Sequence, residues 1–167
     1  MVADAQLPIG ALTVCWEEDT AGYAVRLLDQ SALPHELIYL HLRHEAELAQ
    51  AIRLLKVRGA PAIGVTAAFG MALALARLSN QDLSLEDARS HLATAAVLLR
   101  EARPTAVNLP WAVERMLQCA DRAIAEGQTF VDLVESLKKE AQVIADEDKA
   151  ACLAMGRYGA ELIPEQA

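Results

Sequence analysis

Hydrophobic and polar positions divide the chain into a short first part with strand-like stretches and a long second part with helical spacing. The apolar and β-branched stretches ALTVCW (11–16), YAVRLL (23–28) and ELIYLHL (36–42) are separated by the turn-forming stretches EEDTAG and LPH. This pattern predicts a small antiparallel β meander over residues 1–43.

From His44 onward the apolar residues recur at helical spacing, which predicts five helices. Pro61 suits the first turn of the second helix, where its missing N–H is not needed, and that helix is expected to run to about Leu78. In the fifth helix the spacing predicts an inward face made of Leu133, Leu137, Ala141, Ile144, Cys152 and Met155.

Capping and breaking residues set the expected limits of the last three helices. Ser84 with Asp87, and Thr129 with Asp132, have the spacing of a capping box. Pro104 is expected to stop the third helix. Asn108 is expected to cap the fourth.

The resulting fold class is α+β and mostly α, with a β meander at 1–43 followed by a helical domain of about five helices at 44–167. Because strands and helices do not alternate, a Rossmann-type sheet is not predicted within these residues.

Composition narrows the classes of partner. Of the 167 residues, 54% are hydrophobic, which is ample for a core, and the net charge of −8 argues against a nucleic acid or an anionic membrane as partner. An anionic metabolite would therefore need a local basic site. The uncharged run of residues 59–76 just reaches the length of a membrane span, but its glycines, proline and alanines favour a buried helix.

Three cysteines, Cys15, Cys119 and Cys152, are an odd number without CxxC spacing. They predict neither a disulfide framework nor a zinc signature, and the reduced cytoplasm is the expected compartment. None has basic neighbours in the sequence that would activate a thiolate. His41 and His44, in HLRHE, do not match a metal-ligand pattern, so no metal is expected.

The stretch RGAPAIG carries the first candidate site. Gly59 and Gly64 have P-loop spacing, but Val65 and Thr66 follow where Lys and Ser/Thr are required, so the nucleotide interpretation fails. The amides of Gly59 and Ala60 at a helix start, together with Arg58, would form a phosphate site. The alternative is that Arg58 only caps the preceding helix, and spacing alone leaves the two interpretations equal.

A second arginine occupies a similar setting in EARPTAVNL. Arg103 comes at a helix end immediately before Pro104, and two such arginines would converge on one phosphate or on sugar hydroxyls. A surface ion pair with Glu101 or Glu114 is the alternative, and it is favoured on spacing alone.

VRGAPAIGVTAAFGMALA, RPTAVNLPWAVERM and LLDQSALP together resemble the N-terminal domain of the methylthioribose-1-phosphate isomerases. These enzymes share a superfamily with ribose-1,5-bisphosphate isomerases and with the regulatory subunits of translation initiation factor 2B. The resemblance covers nearly the whole chain.

The resemblance implies an aldose–ketose isomerisation in methionine salvage, with no cofactor, and a homodimer. It carries substrate contacts over to Arg58, Gly59, Ala60 and Arg103. It also implies that the catalytic cysteine, in a THCN stretch, and the acid/base aspartate, in a Rossmann-like C-terminal domain, lie beyond this chain. We therefore expect the chain alone to be inactive, with that missing domain as its partner.

Two further interpretations stay open. The domain could serve as a non-catalytic interaction module like the translation-factor subunits. It could also belong to a ribose-1,5-bisphosphate isomerase, because residues that select the 5-substituent need not lie within this chain.

Overall fold

The computed structural model describes residues 13–81 and 83–163. The first residues of the predicted strand 11–16, and the outer ends of the predicted segments 1–43 and 44–167, lie outside the described residues. The division of the chain at 43/44 stays a prediction.

Three strands form one antiparallel sheet in the order β1-β2-β3. They are β1 (Val14–Asp19), β2 (Gly22–Leu28) and β3 (Tyr39–Leu42). The β1–β2 register runs from Val14 opposite Leu27 to Asp19 opposite Gly22. The fold class is therefore α+β, mostly α, as predicted.

The predicted EEDTAG turn is wrong in its extent, because β1 continues through Asp19 and only two residues remain for the turn. Cross-strand pairing keeps these acidic residues in the sheet: the Glu17 carboxylate lies 3.2 Å from Nε of Arg26 and 2.8 Å from Nδ1 of His41. The third strand is shorter than predicted and leaves Leu37 and Ile38 exposed before it.

Five helices follow the sheet: α1 (Glu45–Arg53), α2 (Ala60–Ala76), α3 (Leu85–Arg100), α4 (Asn108–Ala125) and α5 (Phe130–Ala160). Helix α2 is central, since every residue from Ile63 to Ala76 is buried and the helix contacts the other four helices and the sheet. The prediction of a buried helix here is confirmed. Within the described parts of the chain, no helix is long and apolar enough to cross a membrane.

The inner face of the sheet packs on α2 through aromatic rings. The ring centroid of Trp16 lies 5.6 Å from that of Tyr23 and 6.3 Å from that of Phe69 in α2. These contacts are within the range in which aromatic pairs attract. They hold the sheet against the central helix.

Two of the predicted helix starts agree with the structure and one does not. The hydroxyls of Ser84 and Thr129 accept the N–H of Asp87 and Asp132, at 3.1 and 3.2 Å. Asn108 is not the cap of α4, because Val107 occupies that position and already has helical angles. A preceding turn, in which Ala106 N–H donates to Arg103 O at 3.1 Å, sets that backbone before Asn108 is reached.

The predicted inward face of α5 is wrong at its C-terminal end. Buried positions stop at Ile144, while Cys152 is exposed and Met155 is 66% exposed. The helix has 31 residues against 17 in α2 and 18 in α4, so it extends beyond the described helices that cover its first half.

Helix α1 ends in a left-handed turn that carries a leucine. Leu55 has φ of +55°, Leu55 N–H donates to Ile52 O at 3.2 Å, and Lys56 N–H donates to Ala51 O at 2.9 Å. This pair of hydrogen bonds is the Schellman motif, which usually has glycine at the left-handed position.

We expect Leu55→Gly to raise the free energy of unfolding by about 1 kcal/mol, because leucine in the left-handed region costs about 1–2 kcal/mol and this side chain is already 41% exposed. Leu54→Gly is the matched control, since Leu54 is exposed but has φ of −82°, and it should be neutral or destabilising. Urea denaturation of both variants measures the difference. Equal stabilities of the Leu55→Gly and Leu54→Gly variants would show that the backbone of Leu55 is unstrained.

Candidate functional site

Arg58, Gly59 and Ala60 lie together at the start of α2. Gly59 is the residue before the helix and has φ of +93°, with nothing within 4 Å of the place where a Cβ would stand. Glycine is needed here for its backbone conformation and not for lack of space. The turn leaves the backbone before Ala60 open to solvent.

The N-terminus of α2 offers unpartnered backbone donors. Among the described side chains none caps it, and its first turn contains no acidic residue. Pro61 has no N–H, while the N–H groups of the neighbouring first-turn residues have no partner within the helix. The helix dipole adds partial positive charge at this end, so the geometry suits an anion.

The Arg58 side chain is exposed, and its Nε donates to the carbonyl of Leu55 at 3.1 Å. This hydrogen bond supports the alternative that Arg58 caps the end of α1, because Leu55 lies in the turn after that helix. It uses one of the five guanidinium N–H groups and leaves the others for a ligand. The two interpretations are therefore compatible.

Arg103 is half-buried in the loop between α3 and α4. The alternative of an ion pair between Arg103 and Glu101 or Glu114 is wrong, because neither carboxylate lies within ion-pair distance of Arg103 and Glu114 pairs with Arg100 at 3.0 Å. In the part of the chain that the structure describes, neither Arg58 nor Arg103 has an acidic partner within ion-pair distance.

The N-terminal ends of α2 and α4 touch, at Gly64 and Asn108. A Cβ built on Gly64 would lie 2.9 Å from the backbone oxygen of Asn108, so only glycine permits this approach. The segment that begins with Arg58 and the segment that begins with Arg103 therefore lead into adjacent helix starts. The convergence of the two guanidinium groups on one phosphate stays a prediction.

The site also includes a contact that sequence reasoning missed. Asp29, which follows β2, is 5% exposed, and its carboxylate accepts a hydrogen bond from Nζ of Lys56 at 2.6 Å. Gln30 N–H donates to Lys56 O at 2.8 Å. These bonds join LLDQ to KVRGA, two stretches that contribute separately to the family resemblance.

The three thiols differ in environment. Burial raises the pKa of Cys119, so that thiol stays protonated at neutral pH. Cys15 has a basic neighbour that the sequence alone does not show, because it lies opposite Arg26 in the β1–β2 register. Within residues 13–81 and 83–163, no three His, Cys, Asp or Glu side chains are grouped to hold a metal.

Comparison with known proteins places this architecture. The family described as "Initiation factor 2 subunit family" matches residues 56–167. The chain belongs to that family. The match begins at Lys56 and therefore includes the RGA and RPTA stretches.

Relatives of known name are similar to most of this chain. The methylthioribose-1-phosphate isomerase of Chloroflexus aurantiacus is 44% identical over 154 residues, which cover 91% of this chain and 42% of that protein. The chain thus spans about two fifths of the length of the curated relatives it matches.

Two solved structures share the fold. The crystal structure of 5-methylthioribose 1-phosphate isomerase from Pyrococcus horikoshii OT3 has a TM-score of 0.80 and 35% identity, over 92% of this chain and 42% of that one. The translation initiation factor eIF-2B subunit delta from A. fulgidus has a TM-score of 0.78 and 36% identity, over 90% and 41%. A protein named as an isomerase and a protein named as a translation factor subunit therefore share this fold.

Proposed function

We propose that this chain is the substrate-binding N-terminal part of a methylthioribose-1-phosphate isomerase. The observation that carries the proposal is the bare N-terminus of α2, where Arg58 and Gly59 border backbone donors with no acidic residue in the first turn. The names of two relatives indicate the substrate: the Chloroflexus protein, at 44% identity, is a methylthioribose-1-phosphate isomerase, and the name of the Pyrococcus protein puts the methylthio group at position 5.

In this proposal Arg58, Gly59 and Ala60 bind the phosphate, and Arg103 contacts the phosphate or the sugar. A guanidinium and backbone N–H groups stabilise phosphoryl oxygens through charge-assisted hydrogen bonds. The reaction class is an aldose–ketose isomerisation, which moves a proton between adjacent carbons and requires a positioned acid and base.

We place the groups that transfer the proton outside residues 1–167, in the part that the relatives have and this chain does not match. The end of α5 supports this assignment, because Leu153, Met155 and Tyr158 are each about two thirds exposed there and would suit a covering partner domain.

A titration with methylthioribose 1-phosphate, followed by backbone amide shifts in NMR spectra, tests the binding role. The proposal expects the largest shifts at Gly59, Ala60 and Arg103, with smaller shifts elsewhere. Absence of shifts at these amides at saturating ligand would contradict it. Ribose 1,5-bisphosphate in a parallel titration ranks the two substrates.

A non-catalytic interaction module is the second candidate. It is favoured by the TM-score of 0.78 to the delta subunit of A. fulgidus. Stabilisation by a protein partner, combined with no response to either sugar phosphate, would favour this candidate over the isomerase.

A further inference from the structure

Several contacts hold the segment Leu55–Gly59, which connects α1 to α2. Lys56 N–H closes the turn after α1, and Val57 is completely buried. Gly59 O then accepts the N–H of Ile63, which starts the hydrogen bonding of α2, at 3.0 Å. Arg58 is the exposed charged side chain of this segment.

Asp29 anchors the segment from the opposite side. Its carboxylate accepts hydrogen bonds from Nζ of Lys56 at 2.6 Å, from the N–H of Ser31 at 3.0 Å and from the Ser31 hydroxyl. Burial raises the pKa of Asp29, but the hydrogen bonds from Lys56 and Ser31 outweigh this effect, and the pKa lies below its ordinary value. The side chain is therefore a carboxylate at neutral pH.

A part-buried ion pair of this kind contributes little net stability, because removing charges from water offsets much of their attraction. Its geometric effect is larger. Asp29 is itself fixed, since its N–H donates to Ile38 O at 2.9 Å and Gln30 N–H donates to Lys56 O at 2.8 Å. Lys56 is thus held by its side chain and by both of its backbone groups.

This restraint passes to Arg58 through one peptide group. The carbonyl of Leu55 and the N–H of Lys56 belong to the same planar unit, so fixing Lys56 fixes the direction of that carbonyl. The same carbonyl accepts Nε of Arg58 at 3.1 Å. The direction of the guanidinium therefore depends on the position of Lys56.

We propose that Asp29 is a positioning residue of the anion site: through Lys56 it fixes the Leu55 carbonyl, and through that carbonyl it directs the Arg58 guanidinium towards the phosphate at the start of α2. This inference rests on the proposed function. Asp29 does not touch the substrate, so its loss should weaken binding through misorientation of Arg58.

The test compares Asp29→Asn and the double variant Asp29→Asn/Lys56→Met with Glu45→Gln. Glu45 is the matched control, because its carboxylate accepts Nε and Nη2 of Arg77 at 2.9 and 3.0 Å in a similarly part-buried pair that belongs to neither segment of the site. Melting temperature, Kd for methylthioribose 1-phosphate by NMR titration, and amide exchange of Gln30 are measured on the full chain.

We expect Asp29→Asn and Glu45→Gln to melt at similarly lowered temperatures, because each leaves a part-buried cation without its partner, and the double variant to melt closer to the parent chain. Both Asp29 variants should bind about tenfold or more weakly, in the range known for supporting residues around a site, while Glu45→Gln stays within about twofold of the parent chain. Exchange of the Gln30 amide should accelerate in the Asp29 variants and not in Glu45→Gln.

The failures are distinguishable. If the parent chain binds the sugar phosphate and Arg58→Ala weakens binding about tenfold or more, but the Asp29 variants bind within twofold of Glu45→Gln, the positioning role is overturned and the proposed function stands. If the parent chain does not bind, the proposed function fails, and faster Gln30 exchange then assigns Asp29 a purely structural role, which also overturns the inference.

Discussion

Arg58→Ala should weaken the binding of methylthioribose 1-phosphate by about 10- to 150-fold and leave the melting temperature nearly unchanged. A hydrogen bond to a charged group contributes about 1.5–3 kcal/mol, and each 1.4 kcal/mol is a factor of ten in Kd. The side chain is exposed and donates only one hydrogen bond within the described protein, so its removal costs little stability. Titration followed by backbone amide shifts measures the change in Kd.

Arg53→Ala is the matched control for this result. Arg53 is also exposed and lies five positions earlier, in the last turn of α1. Its replacement by alanine removes the same unit of charge. Its effect on Kd should be less than about twofold, because exposed charges at a distance are screened by salt. Equal losses of affinity in the two variants would mean that general charge, and not a site at Arg58, governs binding.

Gly64→Ala should lower the free energy of unfolding by about 1–3 kcal/mol, which is the usual cost of overpacking a core. The added Cβ would lie 2.9 Å from the backbone oxygen of Asn108, and a backbone atom cannot move aside without separating α2 from α4. Because these two helix starts carry the site, binding of the sugar phosphate should fall as well. Urea denaturation gives the stability change as a lower midpoint at constant slope.

Gly70→Ala, in the same helix, controls for the helix propensity of alanine. Its Cβ would lie 3.2 Å from both methyl groups of Leu99 and 3.5 Å from one methyl group of Leu48, and these lie at the ends of side chains that can adjust. We expect its stability to stay within about 1 kcal/mol of the parent chain, since alanine favours the helix by about that amount. A Gly64→Ala protein as stable as Gly70→Ala would contradict the close approach of α2 and α4.

The sequence predicts α2 well because several local signals agree there. Pro61 marks the first turn, and the uncharged run has the length of a buried helix. Gly64 and Gly70, which allow close approach of neighbouring elements, can be read directly from the sequence. The same signals, which are all local, indicate an anion site at Arg58, Gly59 and Ala60.

Features that depend on distant packing were not predictable. The N-cap of α4 is Val107 and not the predicted Asn108, because the preceding turn sets the backbone conformation there. In α5 the helical spacing of Cys152 and Met155 is genuine, but periodicity cannot show whether a neighbouring element covers that face.

The Asp29–Lys56 pair was missed for the same reason. The two residues are 27 positions apart and become neighbours only when the end of β2 packs beside the segment between α1 and α2. Neither has a spacing that suggests a partner. The stretch LLDQ, which carries part of the family resemblance, is the one signal in the sequence that contains Asp29.

An isomerase assay on methylthioribose 1-phosphate tests the central claim most directly. The chain is assayed alone and then mixed with a separately produced C-terminal part of the Chloroflexus aurantiacus relative, with the Arg58→Ala chain as control. We predict no turnover by the chain alone, turnover in the mixture, and a large loss of turnover with Arg58→Ala. Turnover by the chain alone, or none in a mixture whose two parts are shown to associate, would contradict the account.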